Sequence, residues 1–235
     1  MIIRDESSTL EDCLASIRPH VDEICVVDTG STDDSPLIAA RYADKFEVWT
    51  GCNDDQGRIV DFSAARNRSF ELASHDWVCW LDGDDRVDGA EQLRKLVSAA
   101  PSGLGGPIQY MWPYEYRHDA SGRCTVLHYR ERLLYPRRDF VWQVPVHEGC
   151  LPRPGTAPAH AIVVESPRFI HRLQDSNKPR EPGRNLRILE SYVRKNGEGD
   201  VRALYYLGVE LIQNCEIGRG LATLTPKGMN WFYTD

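Results

Sequence analysis

Three carboxylates stand within four residues of one another, directly after an apolar run. Residues 77–81 (WVCWL) have the composition of a buried strand, and Asp82, Asp84 and Asp85 follow it. Carboxylates crowded in this way repel one another unless a hard divalent cation such as Mg²⁺ or Mn²⁺ neutralises them, and such a cation can also bridge to a diphosphate. A solvated acidic turn is the alternative, because turns are rich in Asp and Gly. A helix-loop-helix calcium site is excluded, because position six of that loop would be Val87 where glycine is required.

A second acidic site is centred on Asp28, which ends the β-branched run of residues 23–28. Small hydroxyl residues and a glycine follow in residues 29–35 (TGSTDDS), and Pro36 opens a predicted helix. This pattern suits a nucleoside, because Asp28 can accept a hydrogen bond from a base N–H or a ribose hydroxyl and a helix start tolerates an anion. A capped turn without any ligand also accounts for the Ser, Thr and Asp side chains.

Arg66 lies in the first turns of a helix predicted over residues 62–73, just ahead of the acidic strand. A guanidinium in this place can form a fork to phosphate. It can equally pair with the acidic turn, and the residues alone leave both interpretations open.

Two histidines follow predicted strands. His147 is adjacent to Glu148, and either side chain can act as a general base if it faces a cleft, although a structural hydrogen bond explains the pair as well. His171 ends a short strand and can complete a metal shell, while a structural role is the default for a histidine without a partner motif.

Strand and helix patterns alternate over the first hundred residues, which is typical of an α/β fold with a largely parallel sheet. An aromatic-rich hairpin is predicted from residues 108–117 and 124–134, and residues 149–158, with three prolines and two glycines, are predicted to be a loop. After Pro182 the apolar residues return to helical spacing in two stripes, which predicts a helical pair, whereas residues 218–235 show no clear period.

Composition narrows the class of protein. The 235 residues carry 28 Lys plus Arg against 35 Asp plus Glu, a net charge of −7, which argues against nucleic acid as the main partner. With 41% hydrophobic and 27% charged residues the chain resembles ordinary globular proteins. Seven scattered cysteines without a C-x-x-C indicate no disulfide framework and favour a reducing, cytoplasmic location. Because no apolar window approaches about 18 residues, we expect no transmembrane segment and no signal peptide.

Four segments in series resemble the motifs of family-two inverting glycosyltransferases: 24–33 (ICVVDTGSTD), 61–67 (DFSAARN), 77–85 (WVCWLDGDD) and His147-Glu148. The resemblance covers about residues 1–175. It implies a catalytic domain of the glycosyltransferase A type, a Rossmann-like α/β fold with a mixed sheet that binds a nucleotide-diphospho-sugar, with a UDP-sugar as the expected donor, and a Mg²⁺ or Mn²⁺ ion.

The resemblance also implies roles for single residues. Asp28 corresponds to the carboxylate that contacts the nucleobase, and Arg66 to the basic residue near the base or the diphosphate. Asp82 corresponds to the aspartate directed towards the ribose, and Asp84 to the one that binds the metal. Asp85 stands where relatives commonly carry an acidic residue.

For the acceptor side, the resemblance implies Glu148 as the base that deprotonates the acceptor, with His147 as the substitute, and His171 as a late histidine that meets metal or diphosphate. The acceptor itself stays open, with a protein or a cell-envelope glycan as the candidates. A non-catalytic nucleotide-sugar-binding scaffold is one alternative, and a nucleotidyltransferase is a further one that would need a glycine- and basic-rich triphosphate loop, absent from residues 1–10.

Residues 180–235 resemble the start of tetratricopeptide-type repeats, with a tail after the helical pair. We therefore expect two domains, at residues 1–175 and 180–235.

Overall fold

Residues 1–172 and 181–225 are described by the computed structural model, and in them the chain forms eleven strands and seven α-helices. The strands are β1 (Ile2–Ile3), β2 (Cys25–Asp28), β3 (Lys45–Val48), β4 (Val78–Cys79), β5 (Asp85–Asp88), β6 (Ile108–His118), β7 (Cys124–Tyr135), β8 (Phe140–Gln143), β9 (Gly149–Pro152), β10 (His160–Val163) and β11 (Arg168–His171). The helices are α1 (Leu10–Ile17), α2 (Ser35–Tyr42), α3 (Phe62–Leu72), α4 (Leu93–Ser98), α5 (Arg184–Asn196), α6 (Val201–Gln213) and α7 (Ile217–Leu224). None of these helices has the length and apolar character needed to cross a membrane.

The first three strands form a parallel sheet in the order β1-β2-β3, with α1 and α2 as the connections. The apolar side chains of α1 follow the i, i+3, i+4, i+7 spacing, which places them on one helix face. That face is buried and consists of Leu10, Cys13, Leu14 and Ile17. The predicted α/β alternation is confirmed by this arrangement.

A larger mixed sheet has the strand order β4-β7-β6-β11-β5, with β10 paired beside β6. β6 and β7 form the predicted antiparallel hairpin, β10 and β11 run parallel to β6, and β11 runs antiparallel to β5. One parallel bridge pairs Ile2 with Asp82, while Ile3 pairs with Asp28 on the other side of β1. Asp28 and Asp82 therefore lie at the same end of the sheet, the end at which open α/β sheets bind ligands.

Stacked aromatic rings lie in the core on the mixed sheet. Trp112 of β6 and Phe169 of β11 are fully buried, with ring centroids 5.0 Å apart. Leu10 and Leu14 of α1 belong to the same buried cluster. Because this packing and the strand pairing hold β11 between β6 and β5, the last residue of β11, His171, lies beside β5.

The chain divides into two compact units, each made of residues that contact one another. Of the described residues, the first unit contains Met1–Gly51, Ala65–Val141 and 150–172. The second contains Cys52–Ala64, Trp142–Gly149 and 181–225. Such units are sets of contacts, and the division into domains at residues 1–175 and 180–235 stays a prediction.

The predicted helical pair is present as α5 and α6, with Leu189 and Leu211 buried from its apolar stripes. The structure adds α7, which the sequence does not predict because Gly218 and Gly220 lower its helix propensity. The resemblance of this region to tetratricopeptide repeats stays a prediction. The tail beyond residue 225 and the segment 173–180 lie outside the described residues.

Two strands also differ from expectation. β5 alternates exposed charged residues with buried ones, so that its apolar content is low and no strand is predicted there. β9 lies in the proline- and glycine-rich segment that predicts a loop, and its one proline, Pro152, stands at its last residue, where no further ladder hydrogen bond is needed.

Two glycines of α7 allow a matched test of helix packing. A Cβ added at Gly220 would lie 2.6 Å from the Ile212 side chain and 2.8 Å from the Gly208 carbonyl oxygen, whereas one added at Gly218 would meet nothing within 4 Å. We expect Gly220→Ala to lower the free energy of unfolding by about 1–3 kcal/mol through overpacking. We expect Gly218→Ala to raise it by up to about 1 kcal/mol, because alanine is the better helix former.

Urea denaturation of the two variants measures both effects. Equal changes in the two variants would mean that α7 does not pack on α6 through Gly220.

Candidate functional site

The acidic turn joins β4 to β5 and presents its three carboxylates in different environments. The Asp85 side chain is completely buried, Asp84 is largely buried, and Asp82 is partly exposed. The backbone N–H of Asp82 donates to Asp85 Oδ2 at 3.1 Å, which closes the turn. The sequence therefore places three carboxyl groups on one short segment at the end of a sheet strand.

Strand pairing brings His171 to this turn. In the antiparallel register of β5 and β11, His171 stands opposite Asp85. Its Nδ1 lies 3.6 Å from Asp84 Oδ1 and 3.6 Å from Asp85 Oδ1. The Tyr116 ring stacks on the imidazole at 5.0 Å with the planes 6° apart, which fixes the orientation of the ring.

These three side chains fit a divalent cation. One ligand atom from each of Asp84, Asp85 and His171 lies within 4.8 Å of the other two. Asp85 Oδ1 and His171 Nδ1 are buried and have no hydrogen-bond partner, so that both have an unused lone pair or proton at this point. Carboxylate oxygens with one imidazole nitrogen are a donor set that suits Mn²⁺ and is compatible with Mg²⁺.

The pKa values of the titratable groups at the turn are shifted in different directions. Burial and the neighbouring carboxylates of Asp82 and Asp85 raise the pKa of Asp84 to about 7, against the opposite effect of His171. Burial alone would lower the pKa of His171, but Asp85 and Asp84 raise it. Burial alone would raise the pKa of Asp82, yet the nearby guanidinium groups of Arg66 and Arg132 hold it below its usual range. A bound cation would favour the ionised form of Asp84, against the burial and the like charges that raise its pKa.

Arg132 is a central residue of the site that sequence reasoning missed. Its side chain is completely buried on β7, with Nη1 3.1 Å from Asp85 Oδ2 and Nη2 3.9 Å from Asp82 Oδ2. The guanidinium lies 3.7 Å from the Trp80 ring centroid and 4.3 Å from that of Phe169. A cation–π contact of this kind is strongest when the cation is desolvated, as it is here. The one signal in the sequence is an arginine directly before the apolar residues 133–134 of the hairpin.

Arg66 pairs with the acidic turn, as one of its two interpretations expects. Its Nη2 donates to Asp82 Oδ1 at 2.6 Å, and its guanidinium lies 4.9 Å from the Trp80 ring centroid. α3 supplies this residue in its second turn. The arginine thus stands beside the carboxylates, and its role towards a phosphate stays a prediction.

Asp28 ends β2 and is 1% exposed. Its carboxylate accepts the Ser31 backbone N–H at 3.1 and 3.2 Å and the Ser31 hydroxyl at 2.6 Å. An ionised carboxylate has about four lone-pair positions, so that these bonds leave acceptor capacity for a ligand N–H.

The hydroxyl and acidic side chains after Asp28 bind the segment that follows β1. Ser31 Oγ accepts the backbone N–H of Asp5, Ser35 Oγ that of Glu6, and Asp33 Oδ2 that of Ser7, at 2.9, 2.7 and 2.9 Å. Their presence is therefore explained by the turn and its neighbour, as the capped-turn interpretation expects, while Asp28 remains the candidate for a nucleoside contact.

His147 and Glu148 belong to the second compact unit, in the loop between β8 and β9. His147 has a positive φ of 56°. Its Nε2 lies 2.8 Å from Glu210 Oε1, and its ring stacks on Tyr206 with centroids 4.3 Å apart. Both contacts come from α6, and sequence reasoning did not identify either partner.

The structure thus collects Arg66, Asp82, Asp84 and His171 into one cluster of the first unit, with Asp28 two strands away at the same sheet end. Neighbouring strands lie about 4.8 Å apart, so that Asp28 and Asp82 are separated by about 10 Å across β1. The two candidate bases, His147 and Glu148, form a separate group in the second unit.

Comparison with known proteins shows which family the sequence matches. Residues 1–150 match the family model described as Glycosyl transferase family 2. A TPR repeat-containing protein of Synechococcus elongatus is 44% identical over 150 residues, which are 63% of this chain and 34% of that protein. The SPbeta prophage-derived glycosyltransferase SunS of Bacillus subtilis is 34% identical over 104 residues, or 43% of this chain and 22% of SunS. The chain therefore spans about a third or less of the length of these curated relatives.

Among solved structures, S. aureus TarS 1–349 in complex with UDP-GlcNAc has a TM-score of 0.50 and 14% identity, covering 89% of this chain and 70% of that chain. At this identity the likeness concerns the fold alone. It confirms the glycosyltransferase A-type α/β fold with a mixed sheet.

The buried charges around Arg132 generate a stability prediction. Arg132→Leu leaves Asp85 buried without its counter-charge, so we expect the free energy of unfolding to fall by about 3–5 kcal/mol. The double variant Arg132→Leu/Asp85→Asn removes both charges, and we expect it to recover a large part of that loss. Urea denaturation at neutral pH measures both.

Arg130→Leu is the matched control, because Arg130 lies on the same strand with its side chain 35% exposed and we expect a change within about 1 kcal/mol. The losses in the free energy of unfolding of Arg132→Leu and Asp85→Asn are also measured singly. A double variant whose loss equals their sum would show that Arg132 and Asp85 are not coupled.

Proposed function

Because this chain belongs to glycosyl transferase family 2, we propose that it transfers a sugar from a nucleotide-diphosphate donor to an acceptor, with inversion at the anomeric carbon and with a divalent cation. The observation that carries the proposal is the donor set of Asp84, Asp85 and His171 beside the ion-paired Asp82. It lies at the sheet end where Asp28 ends the neighbouring β2.

A UDP-sugar is the proposed donor. The TarS structure, which has the same fold, is a complex with UDP-GlcNAc, and this makes uridine the first nucleotide to test. In this chain Asp28 would accept from the nucleobase and Asp82 would face the ribose. Their separation of about 10 Å across β1 suits the two ends of a nucleoside better than a single contact point.

Asp84 and His171, with Asp85 beside them, would hold Mn²⁺ or Mg²⁺. When bound, the cation neutralises charge on the diphosphate leaving group. Arg66 is already beside Asp82 and would orient the diphosphate by a guanidinium fork. Trp80 lies against Arg66 and Arg132 and keeps water from one face of these guanidinium groups, which strengthens their interaction with an anion.

On the acceptor side, Glu148 or His147 would remove the proton of the attacking group. The nucleophile then reaches the anomeric carbon from the face opposite the diphosphate, so that one displacement inverts the configuration and no covalent enzyme intermediate forms. We propose a protein or a cell-envelope glycan as the acceptor.

A binding experiment tests the donor site directly. We expect UDP and UDP-GlcNAc to raise the melting temperature when Mn²⁺ is present, with a stabilisation of about 2.7 kcal/mol at a ligand concentration of 100 Kd. Asp84→Asn removes a metal-binding charge, so we expect the Mn²⁺-dependent part of the shift to be lost. Isothermal titration of Mn²⁺ alone gives the metal affinity of each variant.

Asp88→Asn is the matched control, because Asp88 lies on β5 with an exposed side chain and pairs with Arg168 away from the donor set. A chain that unfolds cooperatively but shows no shift with UDP, GDP or their sugar conjugates would contradict the proposal. An Asp84→Asn variant with an unchanged Mn²⁺ effect would contradict the metal assignment alone.

The products distinguish this reaction from the alternatives. We expect release of UDP from the donor, whereas a nucleotidyltransferase would release pyrophosphate. Donor binding without UDP release over a broad acceptor panel would indicate a non-catalytic binding protein. Chromatographic analysis of the nucleotide products decides between these outcomes.

A further inference from the structure

We propose that His147 is the acceptor base and that Glu210, on α6, is the residue that positions it; this inference rests on the proposed function. The contact lies within the second compact unit. The proposal selects His147 over Glu148 as the base. It also assigns a role to α6, which lies outside residues 1–150, the part of the chain that matches the family model.

The backbone of His147 has an unfavourable conformation, and a side chain of α6 bonds to its carbonyl oxygen. A positive φ at a residue other than glycine costs on the order of 1–3 kcal/mol and persists only where the surroundings enforce it. Here Arg202 Nε and Nη2 both donate to the His147 carbonyl oxygen, at 3.0 and 2.9 Å. Such strain concentrates at functional sites, because it directs a side chain where a relaxed backbone would not.

The imidazole is oriented by a carboxylate that is itself held in place. Glu210 Oε1 lies 2.8 Å from His147 Nε2 and also accepts the Asn185 side-chain N–H at 2.9 Å. A carboxylate has only acceptor atoms, so Nε2 is the nitrogen that has the proton. The lone pair of the neutral ring is then on Nδ1, which is the nitrogen able to take a proton.

Packing fixes the ring and leaves it reachable. The Tyr206 ring stacks on the imidazole at 4.3 Å with the planes 12° apart, and the Arg202 guanidinium lies 5.2 Å from the centroid of the same tyrosine ring. The His147 side chain is 33% exposed, whereas that of Glu210 is 10% exposed. A partly exposed imidazole with a largely buried carboxylate at its Nε2 is an arrangement in which the carboxylate stabilises the imidazolium that forms.

The step balances with the groups present. The acceptor O–H bond breaks and its proton goes to His147 Nδ1, while the acceptor oxygen forms a bond to the anomeric carbon. The bond from that carbon to the diphosphate oxygen breaks, and its electron pair leaves with UDP. The positive charge on the ring is stabilised by Glu210, and the proton passes to water after product release.

The first part of the test is spectroscopic and needs neither donor nor acceptor. Ring ¹⁵N spectra of the full chain, assigned with His147→Gln, should show the neutral form of His147 with a protonated Nε2 and a bare Nδ1. The Nε2 proton should be visible in wild type and in Glu210→Gln, which keeps an acceptor oxygen. In Glu210→Leu it should be lost to exchange with solvent.

The second part measures turnover as UDP release from UDP-sugars, with water or an acceptor panel. We expect His147→Ala to lower kcat by about 100- to 10,000-fold. Glu210→Leu should lower kcat by about 100-fold, as a ring displaced by about 1 Å would, with the donor KM unchanged. Glu210→Gln keeps an acceptor oxygen for the Nε2 proton but has no charge to stabilise the imidazolium, so it should also lower kcat with the donor KM unchanged. Glu190→Gln is the control, because it removes a carboxylate of α5 that pairs with Arg219 instead.

Each result has a defined meaning. Wild-type kcat in Glu210→Leu, or full activity in His147→Ala with activity lost in Glu148→Gln, would overturn the assignment. A lower melting temperature with raised donor KM in Glu210→Leu would also overturn it, since that indicates a structural role. Absence of Mn²⁺-dependent UDP binding in wild type would instead refute the proposed function, independently of the ring spectra.

Discussion

Asp85 and Arg132 face each other with neither side chain exposed to solvent, and the acidic turn is built around that contact. Burying either ion alone would cost several kcal/mol, because a desolvated charge needs a partner. Asp82 shares the same guanidinium at longer range, and Trp80 covers one face of it. Two of the three carboxylates therefore have arginine partners, whereas Asp84 Oδ1 lies 3.6 Å from Nδ1 of the His171 imidazole.

A second constraint acts at the end of β2, where Asp28 lies. Hydroxyl and carboxylate side chains of the turn after Asp28 accept hydrogen bonds from the backbone N–H groups of residues 5–7. The segment after β1 and the turn after β2 are therefore bonded to each other. These bonds tie the strand that lies between Asp28 and Asp82 to the turn that follows Asp28. The strand pairing thus sets the spacing between the backbones of Asp28 and Asp82.

Local patterns in the sequence predict the parallel strands, the long hairpin and the acidic turn, because each depends on neighbouring residues. The place of His171 depends on the antiparallel pairing of β11 with β5, which involves residues far apart and a strand too polar to predict. Arg132 is hidden among the charged residues of an alternating strand, since the sequence does not tell which of them faces inward. Glu210 could have been identified from the sequence, because it is a charged residue within the apolar stripe of α6 that contains Leu207 and Leu211.

The position of His171 at the end of β11 also has a consequence for biosynthesis. Chains emerge from the ribosome N-terminus first, so the three aspartates and then Arg132 are present before the histidine exists. Until β11 has been synthesised and has paired with β5 and β6, His171 is not available to the acidic turn. The complete set of cation ligands therefore exists only in a chain in which β11 has been made and has paired with β5.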